Sequence, residues 1–455
     1  MAVLTPLEVA SAPGLARPLV VVDADPMSLF TALPDVLAGQ GPALLPAPAE
    51  TADAERAFVE QAGGLEGMEV AVDPDVAVVI RTSGSTGRPK RVGLSAQALV
   101  SSARGTNEIL GEGHWLLALP AHYIAGLQVL VRSLAAGTTP VVAHHLRSDC
   151  VDRHFTPEAF VAATDELAAQ AAAEAQSNAT ARADAPSASA AHLLTALVPT
   201  QLHVLLEDAA AHPATLDALR RYAHIMVGGQ RSAPGLLQAA RDAGIDVVTT
   251  YGSSETAGGC VYTLADGSQR RVGDTTLAVR DGSVFVSGSV LASGYIADPE
   301  RTAQTFVEHG GSRWLATGDL GDLTKGVLTV TGRDDQTIIT GGVKLDLNEV
   351  HDVLHSLPGL DDAVAVPFDD EKWGTRFAVY ADGRNRVKRM TREELNLVLR
   401  ERLGRHAGAA AITYFPFGLP RLSSGKVDLR SLHETAEALA GSALAAQRPS
   451  PKDSI

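Results

Sequence analysis

Thr82, Ser83, Gly84, Ser85, Thr86 and Gly87 form an unbroken run of hydroxylic or glycine residues directly after the apolar stretch 76–80, VAVVI, and the run closes on Arg88, Pro89 and Lys90. No bulky side chain in it holds a polyphosphate at a distance, and its backbone N–H groups and hydroxyls can turn inward together as donors. Lys90 adds a compact positive charge. The competing reading is a flexible Gly/Ser linker. Such linkers rarely follow a strand-like run directly and rarely close on Pro-Lys. A Walker-type loop is excluded, because that motif needs Gly-Lys-Ser/Thr opening a helix, whereas Lys90 follows Pro89. Ser95 reads as the N-cap of a helix through about residue 108. The stretch therefore demands the order strand, phosphate-gripping loop, short strand, helix.

The chain of 455 residues, 45% hydrophobic and 20% charged, is long enough for a large core and for more than one domain. Its formal net charge of −15 argues against nucleic acid or an anionic membrane surface as the main partner, since both need a basic face. Any anionic ligand must then be held by local donors. Cys150 and Cys260 stand far apart without a CxxC or a His cluster, which suggests neither a disulfide framework nor a zinc site and fits a reducing cytoplasm. The N-terminus MAVLTPLEVA has no basic region before an apolar core, and no stretch approaches the uninterrupted apolar length of a membrane span.

Residues 1–75 read as scaffold, with an apolar run at 19–22 and a helical pattern at 52–62. Residues 116–134 are apolar around a central His122-Tyr123 pair, with a helix-like run from Gly126. The Ala/Ser-rich stretch 168–191 lacks a sustained apolar face and reads as a partly disordered surface insertion, or as an Ala-rich helix reaching Glu174. Residues 192–206 give a strand, a turn at Pro199 and a helix start. Residues 225–230 (IMVGGQ) and 247–259 (VVTTYGSSETAGG) look like two buried parallel strands, each ending in a Gly- or Ser-rich turn, the position where open α/β sheets bind ligands. In the second turn Tyr251 offers a face for a purine and Thr256 a hydroxyl for phosphate. Glu255 offers a hard oxygen ligand for Mg²⁺.

The loop at 82–90 resembles the phosphate loop of the adenylate-forming enzymes: acyl-CoA synthetases, luciferases and peptide-synthetase adenylation domains. Further segments resemble that superfamily in its own order and cover most of the chain: PAHYIAG, YGSSET, TGD, GRDDQTIITGG and PRLSSGK. The resemblance implies an α/β fold with a large N-terminal domain of stacked β-sheets and flanking helices, residues 1–333. A small, mobile α+β domain follows at 334–440, then a disordered tail at 441–455. Within the small domain, helices are expected at 348–357 and 391–403, the second capped by Thr391 with Glu394 three residues on, and strands at 363–367 and 376–380.

Residue by residue, the resemblance places Thr82 to Gly87, Lys90, Tyr251 and Gly252 at the nucleotide. It gives Thr256 and Lys90 a catalytic part and makes Glu255 both catalytic and the metal ligand. Pro120, His122, Tyr123 and Gly126 match the segment at the wall of the acid pocket, although Tyr123 stands where His is common; His122 and Tyr123 are read as pocket lining or as packed core. Thr200, Gln201, Ser253 and Ser254 fall near the acid, and Gly228 and Gly229, with Gly258 and Gly259, leave room for a flat ring. Asp319 takes the position that accepts both ribose hydroxyls, Arg333 lies at the nucleotide, Asp335 at the hinge and Gly342 in the pantetheine path. Gln336 and Leu422 depart from the commoner residues, and Lys344 stands where some relatives carry Arg. Lys426 is the implied catalytic lysine.

The implied reaction makes an acyl-adenylate from a carboxylic acid and ATP with Mg²⁺, then transfers the acyl group to a thiol after the small domain rotates about Asp335. The segments look most like the 2-succinylbenzoate–CoA ligases of menaquinone biosynthesis, with CoA as acceptor. The alternatives are another aryl- or acyl-acid CoA ligase, an adenylating enzyme that loads a carrier protein, and a non-catalytic nucleotide-binding protein. Cytoplasmic location is expected. A homodimer is one open assembly state.

Overall fold

The computed structural model describes residues 16–62, 71–82, 89–148, 150, 154–181, 191–340, 342–370, 374–384, 389–422 and 427–437. Its compact units are Met1–Ala278 with Phe285–Ala316, and Val279–Val284 with Thr317–Ile455. The boundary at 333–334 expected from the sequence lies within the second of them.

Two sheets lie wholly within the first unit. In the six-stranded one the order across the sheet is Gly294–Tyr295, Lys90–Ser95, Val76–Thr82, Ala43–Ala47, Arg17–Asp23, Ala71–Val72. Val76 to Ile80 are all but fully buried, which is why the run is continuously apolar and does not alternate. The strand pairs in parallel with Ala43–Ala47 and antiparallel with Lys90–Ser95, and the helix Ala96–Leu110 follows, its first turn capped by the Ser95 hydroxyl accepting from Ala98 N at 3.0 Å. The strands on either side of residues 83–88 and the helix that follows them are thus present.

Arg17, 6% exposed, is held by main-chain carbonyls, with no carboxylate partner among the described residues. Its guanidinium donates to the carbonyls of Gly41, Val76, Val36 and Gln40 at 2.8–3.1 Å. A planar fork of donors suits this spread of acceptors, which is why a buried cation is tolerated here.

The seven-stranded sheet runs Gln269–Arg271, Gly258–Thr263, Val247–Ser253, Tyr222–Val227, Leu193–Leu197, His114–Leu117, Val141–Val142. Its inner strands are parallel, as expected for 225–227 and 247–249, whose register is Val247↔Ile225 through Thr249↔Val227. Phe160, Leu167, Leu202, Leu205 and Leu219 fill one face. Here the reading of 168–191 is corrected. The helix Pro157–Ala181 runs past Glu174, but within the stretch only Ala171 is buried among the described side chains, while Phe160 and Leu167, which precede it, seat the start of the helix in the core. Alanine is the best helix former, so a weak apolar face suffices. Residues 182–190 lie outside the described residues.

In the second unit a hairpin joins the end of Ser312–Thr324 to Val327–Arg333. A further sheet has the order Val343–Asp346, Thr337–Thr340, Gly374–Asp382, Val364–Asp370, with Ile412–Phe415 parallel to Gly374–Asp382. Alternation along Gly374–Asp382 divides two cores. Phe377, Val379 and Ala381 pack with Val350, Leu354, Leu395 and Leu399 of the helices Leu347–His355 and Arg392–Leu403, while Ala378 and Tyr380 pack on the other face with Leu419 and Leu432. The Thr391–Glu394 capping box forms as expected. Among the described residues no helix is long and apolar enough to cross a membrane.

Candidate active site

Thr82 and Lys90 face each other at the open end of the antiparallel pair. Ser83, Gly84, Ser85, Thr86 and Gly87 fall outside the described residues. On the outer side of Lys90–Ser95 the two-residue strand Gly294–Tyr295 is added, with Tyr295↔Val92. This puts the Tyr295 ring beside the lysine: Lys90 Nζ is 5.5 Å from the ring centroid. The phenol then donates to Glu255 Oε1 at 2.9 Å. Burial, reinforced by the Glu255 carboxylate, pushes the Tyr295 pKa up, so the phenol stays a donor at any working pH. Three residues far apart in sequence are thereby assembled, and the sequence reading had found only Lys90 and Glu255.

Glu255 is presented by a turn with a fixed shape. Ser253 Oγ accepts from Glu255 N at 3.2 Å, and Thr256 Oγ1 accepts from Ser253 N at 2.9 Å while donating to Gly258 O at 2.7 Å. Thr256 is 1% exposed, and its hydroxyl is held inside the turn. Ser254 is buried and its carbonyl accepts from Ala257 N. Ala257 has φ of 48°, a left-handed conformation that costs an L-residue about 1 kcal/mol. It is pinned from behind, because its carbonyl accepts from Gln128 Nε2 at 2.8 Å and Ser102 Oγ at 3.0 Å. Such local strain persists only where the surroundings over-determine it.

Tyr251, half-buried, pairs with Val261 just before a bulge, and Gly252 follows with φ of 153°. A Cβ on Gly252 would lie 2.2 Å from Gly258 O, so glycine is required there. Gly228 is required for a similar reason: its Cβ would meet Thr250 Oγ1 at 2.1 Å. The glycine at 228 therefore answers to strand packing first. Gly229 follows at the carboxyl end of Tyr222–Val227.

The expected acid segment precedes and enters the helix Ile124–Ala136. The His122 and Tyr123 rings lie 4.2 Å apart, and His122 Nε2 is buried with no hydrogen-bond partner among the described residues. Burial lowers its pKa to about 4, with the Glu50 carboxylate opposing and the Arg81 guanidinium adding to the shift, so the imidazole is neutral near pH 7. Gln201 spends its amide on the backbone, accepting from Val198 N at 3.1 Å and donating to Ala118 O at 3.0 Å. Thr200 is half-buried beside it in the first turn of Pro199–Ala209.

Arg132, on the same helix as Gln128, went unnoticed in the sequence. It is 3% exposed, donates to Tyr262 OH at 3.3 Å and contacts Met226 Sδ at 3.5 Å, with the Trp115 ring 5.3 Å away. Its Nε has no hydrogen-bond partner, and no carboxylate pairs with it among the described residues.

In the second unit Asp319 and Arg333 are register partners, and Arg333 Nη1 donates to Asp319 Oδ1 at 2.8 Å. Thr317 Oγ1 accepts from Asp319 N at 3.0 Å and holds the TGD turn. Asp335 lies in the single turn Asp334–Gln336, and Gly342 has φ of 80°. Lys426 is outside the described residues. On either side of it Arg421 and Val427 form an antiparallel bridge, and Arg421 Nη2 pairs with Asp362 Oδ2 at 3.1 Å.

Residues 16–295 match the family of AMP-binding enzymes. The chain belongs to that family. This AMP-binding enzyme is 36% identical over 354 residues to the probable 2-succinylbenzoate–CoA ligase of Mycobacterium tuberculosis (strain CDC 1551 / Oshkosh), covering 76% of the present chain and 79% of that one. It is 29% identical over 409 residues to the 2-succinylbenzoate–CoA ligase of Bacillus velezensis, covering 84% and 74%. Among solved structures, the AMP-binding enzyme is similar to o-succinylbenzoate CoA synthetase (MenE) from Bacillus subtilis in complex with the acyl-adenylate intermediate OSB-AMP, with TM-score 0.68, 23% identity and coverage of 91% and 87%. The same Bacillus subtilis protein in complex with ATP and magnesium ion gives TM-score 0.66 at 22% identity, covering 92% and 96%. The likeness extends the fold beyond residue 295 and bears out the α/β architecture expected from the sequence.

Proposed function

We propose that this AMP-binding enzyme activates 2-succinylbenzoate with ATP as an acyl-adenylate and transfers the acyl group to CoA, releasing pyrophosphate and then AMP. The assembly of Lys90, Tyr295 and Glu255 at the open end of the phosphate-loop hairpin is the observation that carries the adenylation reading. The relatives support the choice of acid and acceptor.

A carboxylate is a poor acyl donor because its oxygen leaves as a dianion. In-line attack on the α-phosphorus converts it to a mixed anhydride whose leaving group is AMP. Charge develops on the transferring phosphoryl group, and positioned cations and donors stabilise it. Lys90 supplies one such charge, Lys426 a second and the residues 82–87 the donors. Glu255 fits Mg²⁺: Tyr295 occupies Oε1, and Oε2 has no partner among the described residues, so one carboxylate oxygen is offered to an ion that takes its remaining ligands from water and nucleotide. Bound there, the ion offsets polyphosphate charge. Tyr251 offers the adenine face and Asp319, oriented by Arg333, the ribose contact.

The acid in this proposal has two carboxylates, one activated and one kept. Arg132 is the group suited to the second, since a buried guanidinium without an anion is costly and a ligand carboxylate relieves it. Thr200, Ser253 and Ser254 complete the acid side with His122 and Tyr123. Rotation of residues 334–440 about Asp335 between the half-reactions, Gly342 in the thiol path, a homodimeric assembly and a cytoplasmic location belong to the same proposal. The test is AMP release with a panel of acids, with and without CoA. CoA-dependent turnover should prefer 2-succinylbenzoate to benzoate and acetate by a large factor, and equal turnover of a plain fatty acid would overturn the assignment.

A further inference from the structure

Glu55 is 1% exposed in the helix Ala49–Ala62, and its carboxylate lies against arginines of the paired strands Val76–Thr82 and Lys90–Ser95. Arg91 donates to Oε2 from Nε at 2.6 Å and to Oε1 from Nη2 at 3.2 Å, while Arg81 Nε lies 3.0 Å from Oε1 as an ion pair without hydrogen-bond geometry. Arg81 and Arg91 are register partners one step before the Thr82↔Lys90 pair. Directly opposed residues of an antiparallel pair project from the same face with Cβ atoms about 5 Å apart, so like charges there repel. A carboxylate between them converts the repulsion into a two-sided grip. Phe58, one turn along from Glu55, lies against the same guanidinium, its ring centroid 3.5 Å from Arg91 Cζ. Arg81 also lies within the field of His122 in the acid segment. The helix belongs to no nucleotide motif, and the bridge spans 26 positions to Arg81 and 36 to Arg91, from 81 − 55 and 91 − 55.

We propose that Glu55 is a positioning residue for ATP. By clamping Arg81 and Arg91 it fixes the spacing and twist of the two strands where they leave the sheet as Thr82 and Lys90, and so sets where the polyphosphate is held. Glu55 itself touches no substrate. A merely structural ion cluster predicts loss of folded protein and an equal fall in every activity; a positioning role predicts a loss confined to the step that uses the polyphosphate. The inference rests on the adenylation reading above.

The experiment compares wild type, Glu55→Gln, Glu55→Asp and the double variant Glu55→Gln/Arg91→Gln, which removes one of the two opposed cations in case the single variant fails to fold. Each is assayed for pyrophosphate release from ATP and acid, and separately for thioester formation from synthetic acyl-adenylate and CoA. The expected result for Glu55→Gln and the double variant is a rise in KM for ATP and a slower first step, together about ten- to a hundredfold in kcat/KM as for small misplacements of reacting groups. KM for the acid and the adenylate-to-thioester rate should hold, and Glu55→Asp should recover part of the loss. Equal losses in both half-reactions, or an unchanged KM for ATP in the folded double variant, would overturn the inference. A wild-type protein that forms no adenylate at all would instead overturn the reading on which it rests.

Discussion

The phenol of Tyr295 donates a 2.9 Å hydrogen bond to Glu255 Oε1 while its ring lies 5.5 Å from Lys90 Nζ, so one side chain joins Lys90 to the carboxylate proposed for Mg²⁺. Tyr295→Phe keeps the ring and deletes only the donor. A hydrogen bond to a charged group contributes about 1.5–3 kcal/mol, so adenylation should fall by roughly ten- to a hundredfold and need more Mg²⁺ for half-maximal rate. A magnesium titration of pyrophosphate release checks this, and an unchanged curve would remove Tyr295 from the site.

Arg132→Met should leave a folded protein, because a well-packed apolar residue replaces a buried cation that has no anionic partner among the described residues. If the guanidinium binds the retained carboxylate, KM for 2-succinylbenzoate rises by about ten- to a hundredfold, as for one charge-assisted contact, while kcat/KM for benzoate hardly changes. Steady-state kinetics with both acids decide the matter. A parallel fall for benzoate would make Arg132 a packing residue.

Stability should decline on the acid side. Burial lowers the pKa of His122 and of His145 to about 4 each, against an ordinary 6.5. Between those values the unfolded chain binds protons that the folded chain refuses, so the free energy of unfolding rises with pH across that window and gains nothing further above it from these groups. Urea denaturation from pH 7 down to pH 4 should show the loss, and His122→Asn should make it shallower. Identical slopes in wild type and variant would contradict the burial argument.

Lys426→Ala should lower adenylation by about 10²- to 10³-fold, as for loss of one preorganised donor, and spare thioester formation from synthetic acyl-adenylate. Asp335→Pro, which fixes φ at the proposed hinge, should do the reverse. The two variants assayed side by side in both half-reactions form a crossed pattern, and parallel losses in either variant would count against domain rotation.

Local signals carried the sequence reading furthest. The continuous apolar run 76–80, the Ser95 cap, the Thr391–Glu394 box and the Gly-rich strand ends lie within a few residues of the structure they specify, and each is formed. What stayed hidden was long-range. Tyr295 sits in a strand of two residues, too short for any periodicity, and meets Glu255 across 40 positions. Arg132 reads in sequence as one charge interrupting an apolar helix, and only the packing of Trp115, Met226 and Tyr262 around it reveals the burial. Glu55 and Arg17 look like ordinary surface charges until tertiary partners arrive. The helix Pro157–Ala181 was undervalued because, of the described side chains in its Ala-rich part, only Ala171 is buried, and hydrophobic periodicity weighs alanine too lightly.

The most direct test of the account is a staged single-turnover reaction. The protein is mixed with ATP, Mg²⁺ and 2-succinylbenzoate without CoA, and the products are separated before and after CoA is added. The account predicts acid-dependent pyrophosphate and enzyme-held acyl-adenylate in the first stage, then conversion to 2-succinylbenzoyl-CoA with one AMP released per adenylate. Formation of ADP and phosphate, or thioester formation without a preceding acyl-adenylate, would contradict it.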